Sequence, residues 1–139
     1  MSELALLRKR GLAILAVMSW LSTAWLLFMG WQLQSDNLGI VLFLAVGVNI
    51  GPTLMALTGQ HRTAARLISS TLAVMHPALG VYLLMGHGWM IDAHMYFFVA
   101  LAALTVLCDW RPIALASVMI AVHHLLLDFF VPEWVFAGS

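Results

Sequence analysis

The chain has 139 residues, of which 63% are apolar and only 9% charged, with a mean hydropathy of +1.00. Soluble domains carry about 25% charged residues, so a water-soluble globule is excluded, and so is a disordered chain. A lone cysteine, Cys108, excludes a disulfide scaffold, and six Lys and Arg balanced by six Asp and Glu leave no basic stripe for nucleic acid. What remains is an all-α integral membrane protein.

Five apolar stretches are readable in chain order: Gly11–Leu33, Leu38–Leu57, Ala64–Met85, Ala93–Cys108 and Pro112–Val131. Each is near the roughly 20 residues that cross a bilayer as helix. The fourth is short, so its outer end is expected to extend into residues 89–93. The first is too long, and too polar at Gln32 and Gln34, for a signal peptide. In hydrocarbon the backbone must bond within its own segment, so these are helices rather than open strands. The short connections predict an up-down bundle of five transmembrane helices forming a single domain over 1–139.

Arg8, Lys9, Arg10, Arg62, Arg66 and Arg111 fall on one side of such a bundle, while Asp36, Asp92 and Glu133 fall on the other. The positive-inside rule makes the basic side cytoplasmic, so the N-terminus is cytoplasmic and, with five spans, the C-terminus periplasmic. The stretch Trp134-Val135-Phe136-Ala137-Gly138-Ser139 carries no basic anchor. It reads as the end of a fragment whose full chain continues into a sixth span.

Gly47 and Gly51, followed by Pro52, read as a packing seam with a kink, and Asn49 beside them as a packing residue with a ligand role as its rival. Asp92 reads as the cap of the fourth helix, and Asp109 with Arg111 as a loop ion pair and helix cap opening the fifth. Cys108 reads as a small buried apolar residue.

The histidines carry the functional signal. His61 lies beside Arg62 in a cytoplasmic loop and is set aside. His76 lies 12 residues into the third stretch, roughly 18 Å up at 1.5 Å per residue. His123 and His124 lie 11 and 12 residues into the fifth, at nearly the same depth. His87 and His94 flank the outer loop. Five imidazoles therefore share the outer half of an apolar bundle, where ionisable groups usually face an interior site.

Imidazole suits zinc, copper and iron, including heme iron. No Cys or carboxylate set makes a structural zinc site. Facing histidines at one depth suit heme b, with His76 opposite His123 or His124, and with His87 and His94 available for a second heme. Copper is the alternative, with His76, His94, His123 and His124 as nitrogen ligands and Met75, Met85, Met95 and Met119 nearby. A membrane cytochrome exchanging electrons with quinone shares the heme reading. Asp128, four residues after His124, and Asp92, two before His94, are placed to support the ligand rings from behind. A packing-only anchor without cofactor is the bland rival. No nucleophile–base motif, phosphate loop or carboxylate pair indicates an enzyme.

From Met75 onward the chain resembles a known family. Met75-His76-Pro77, the run from Gly86 to Phe98, Asp109-Trp110-Arg111-Pro112 and His123-His124-Leu125 are similar to the multi-helix membrane sensor region of bacterial methyl-accepting chemotaxis proteins and diguanylate cyclases. The first two spans match only by hydropathy. Gly88 and Met90 stand where the family more often has Pro and Gln. The resemblance implies an input domain of a signal transducer in the bacterial inner membrane. It also implies a homodimer, a cytoplasmic signalling domain elsewhere in the full chain, and His76, His87, His94, His123 and His124 as the functional histidines.

Overall fold

The computed structural model describes residues 1–134, and all secondary-structure elements within them are helices. Helix α1 spans Glu3–Gln32, α2 Leu38–Leu57, α3 Thr63–Leu83, α4 Met90–Ala103 and α5 Trp110–Phe130. Helix α4 tightens into a 3-10 segment, Leu104–Leu107, and a short 3-10 turn, Pro132–Trp134, follows α5. The fourth helix thus does begin inside 89–93. The expected outward C-terminal stretch lies, from residue 135 on, outside the described residues.

Four segments are long and apolar enough to cross a membrane: Glu3–Gln32, Leu38–Leu57, Met90–Leu107 and Trp110–Phe130. They identify a membrane protein. Their exposed faces carry Phe43, Leu57, Leu125 and Phe129, which water would not tolerate as one continuous surface. Helix α3 is of similar length but more polar, and it is the most deeply enclosed of the five. It packs against all four other helices. Its polar residues Arg66, Ser69, Ser70 and His76 are buried in protein. The bundle is therefore organised around α3, and the consecutive helices α4 and α5 touch each other only sparsely.

The close approaches differ from those expected. Gly47 faces open space, and Gly51 has only the Leu72 side chain beyond it. Gly47 therefore takes no part in a helix–helix seam, whereas Gly51 lies close against Leu72 of α3. The tight seam lies at Gly11 of α1, where an added Cβ would stand 2.9 Å from the Val106 carbonyl carbon and 3.4 Å from Leu107 Cα. Only a residue without Cβ lets the backbone of α1 meet the 3-10 segment. Gly30 does the same against the Leu38 side chain.

Three loop assignments are also corrected. Asp92 does not cap α4: Trp89 occupies the cap position, and Asp92 is exposed in the first turn, where a carboxylate still complements the helix dipole. Cys108 is exposed rather than buried. The 3-10 segment ends there in a left-handed residue (φ 50°), which turns the thiol outward. Asp109 does cap α5, its Oδ1 accepting from the Arg111 backbone N–H at 3.1 Å. Its ion-pair partner is Arg66 of α3, whose Nη2 lies 2.8 Å from Oδ2, and not Arg111.

Candidate functional site

Three of the predicted histidines converge where α4 faces α5. His94 Nδ1 lies 2.8 Å from the Met90 carbonyl oxygen, and His124 Nδ1 lies 2.8 Å from that of Ile120. A carbonyl only accepts, so each Nδ1 carries the proton and each Nε2 presents a lone pair. The backbone of each helix thus fixes both tautomer and ring direction. His94 Nε2 is buried with no hydrogen-bond partner. The His94 and His124 ring centroids are 5.5 Å apart.

Phe97, three residues after His94 and buried, packs against the same group. Its ring lies 5.3 Å from that of His124 and 5.7 Å from that of His123. His123 and His124 stand edge-on with centroids 5.4 Å apart, and both rest on Phe97, with His124 also beside His94. Among the described residues, no three His, Cys, Asp or Glu side chains meet at one point that could hold a metal ion. The protein supplies a pair of nitrogens rather than a closed cage.

His76 and His87 lie elsewhere. His76 is buried on α3 and turns to α1, its Nε2 3.5 Å from Thr23 Oγ1. Thr23 Oγ1 also accepts from Asn49 Nδ2 at 2.8 Å, so a polar core ties α1, α2 and α3 together. Asn49 is thereby a packing residue, although its Oδ1 is buried without a partner. His87 lies in the α3–α4 loop, where its Nδ1 accepts from the Trp89 N–H at 3.2 Å and its ring stands edge-on to that of Trp89. His76 and His124, expected to face each other, meet different neighbours.

Asp92 and Asp128 support none of these rings. Asp128 is exposed. The Ile120 carbonyl, one turn below His124, makes the contact expected of Asp128, because a carbonyl at i−4 is always within reach of a helical side chain. The cavity beside His76 is about 30 Å³, smaller than a porphyrin. Phe97 packs against both the His123 and the His124 rings.

The sequence reading missed Phe97 and Thr23 and used Arg66 only for orientation. An arginine four residues into an apolar helix was the available signal for a buried ion pair. Thr23, four residues after Ser19, gave none until α2 and α3 were placed beside it. No protein-family model, curated protein or solved structure matches the chain.

Proposed function

We propose that this chain is the membrane-embedded sensory domain of a bacterial signal transducer, crossing the inner membrane five times, and that His94 and His124 take a copper ion. The observation that carries the metal reading is the buried, unpartnered Nε2 of His94 beside the His124 ring, both rings oriented by carbonyls. A buried nitrogen lone pair without a partner is costly, and a soft ion relieves that cost. Copper(I) accepts low coordination numbers, which suits a site of two imidazoles; zinc and iron ask for more ligands.

The sensory part rests on the resemblance from Met75 onward, which also supplies the dimer and the cytoplasmic output domain. The five-span topology, with α3 crossing inside a sleeve of the other helices, is supported by the length of α3 and by its enclosed polar side chains. The cytoplasmic N-terminus is supported by the gathering of Arg8, Arg66 and Asp109 around the α4–α5 turn. Metal binding would clamp α4 to α5, helices that otherwise meet sparsely, and so bias the direction in which α5 leaves the bundle.

The test is copper(I) competition against a chromogenic chelator, with the full chain in nanodiscs. Wild type is expected to hold copper with nitrogen ligands in its X-ray absorption spectrum, and His94→Ala and His124→Ala to lose it. His76→Ala, outside the pair, is expected to keep it. Copper retention by both His94→Ala and His124→Ala, or none above empty discs in wild type, would overturn the reading.

A further inference from the structure

A second cavity lies on the opposite side of α4, between α4 and α1, with a volume of about 690 Å³, large enough for a drug-sized molecule. None of the predicted histidines lines it. Its walls are aromatic and aliphatic: Trp25 of α1, Tyr96 of α4 and Trp89 of the preceding loop, with Met29 and Val99 among the remainder. The Trp25 and Tyr96 ring centroids are 6.2 Å apart and inclined at 54°.

The polar groups decide what this cavity recognises. The Tyr96 and Ser22 hydroxyls bond to each other across α1 and α4, so they are already satisfied. That leaves Asp92, the single charged side chain among the lining residues, exposed in the first turn of α4. No Lys, Arg or His lines the cavity to neutralise it. Asp92 stands at the end of the bundle away from Arg8 and Arg66, and the apolar wall runs from it to Val99. At 1.5 Å per residue this is roughly 10 Å of helix.

The geometry points to a binding site for lipophilic organic cations in this α1–α4 groove. The carboxylate of Asp92 receives the positive head, the faces of Trp25, Trp89 and Tyr96 add cation–π attraction, and the apolar wall takes the hydrocarbon body. A neutral molecule of the same shape gains only the last of these. The site is independent of the histidine pair, which lies on the other face of α4.

Tetraphenylphosphonium is a suitable probe, with triphenylphosphine oxide as its neutral counterpart. Binding to the full chain in zwitterionic nanodiscs is read by equilibrium dialysis and by quenching of tryptophan fluorescence, with empty discs as the reference. The cation is expected to bind saturably above empty discs, and the neutral compound not to exceed simple partitioning. Asp92→Asn, a surface change that leaves the fold intact, is expected to weaken the cation about tenfold. Trp25→Leu is expected to weaken it while removing part of the quenching signal. Equal affinity in wild type and Asp92→Asn, equal binding of the neutral compound, or no excess over empty discs would each overturn the proposal.

Discussion

Arg66 Nε and Nη2 both reach the same oxygen of Asp109, at 2.9 and 2.8 Å, across 43 residues of sequence. With further donation to the His61 carbonyl and to Thr63 Oγ1, the guanidinium fastens the foot of α3 to the turn that launches α5. Burial alone would raise the Asp109 carboxyl, but the hydrogen bond and charge of Arg66, helped by the Arg111 N–H, hold it below its ordinary value of 3.8. The folded state therefore favours the ionised form. The pair's contribution is fully present above the ordinary carboxyl range and is lost as pH falls from there through the depressed folded value. Thermal melting of detergent-solubilised protein is expected to show this loss below about pH 4. Asp109→Asn should lower stability near neutral pH by about 1–3 kcal/mol and flatten that part of the acid limb. An unchanged acid limb in the variant would show that other carboxyls govern it.

The two glycine sites separate packing from propensity. Gly11→Ala drives a methyl into the Val106 carbonyl and should cost about 1–3 kcal/mol, because the obstacle is backbone and cannot swing aside. Gly47→Ala meets nothing and should be neutral or stabilising by up to about 1 kcal/mol. Unfolding of both variants in mixed micelles checks the order; a more damaging Gly47→Ala would contradict the packing described.

Thr23 accepts from Asn49 Nδ2 and faces His76 Nε2 while its hydroxyl donates to the Ser19 carbonyl. Thr23→Val keeps the shape and removes the acceptor from the buried Asn49 amide. A loss of about 1–3 kcal/mol is expected, with copper affinity unchanged because the His94–His124 pair lies elsewhere. Parallel melting and chelator competition measure both; a joint loss of copper would place His76 in the metal site.

Cys108 reports on topology. Its exposed thiol sits at the same end as Arg8, whose Nη2 donates to the Cys108 carbonyl at 3.2 Å. A membrane-impermeant maleimide should label it in inside-out vesicles and not in intact cells. Labelling of intact cells would reverse the proposed orientation. Cys108→Gly removes the strain of a side chain in the left-handed region and should stabilise the turn by about 1 kcal/mol, read by melting.

The helices were legible in the sequence because each long apolar run must satisfy its own backbone in hydrocarbon, and that demand is local. The same locality made Pro112 and Asp109 readable at the start of α5. Rise per residue led to the expectation that His76, His123 and His124 share one level. Which way each ring turned was not legible. Rotation of α3 about its axis sent His76 to Thr23 and Asn49, and the meeting of α4 with α5 joined His94 to His124 around Phe97. The glycine that lets helices touch, Gly11 and not Gly47, was hidden for the same reason. Composition and periodicity describe one segment at a time, and the identity of a neighbour exists only once several segments have packed together.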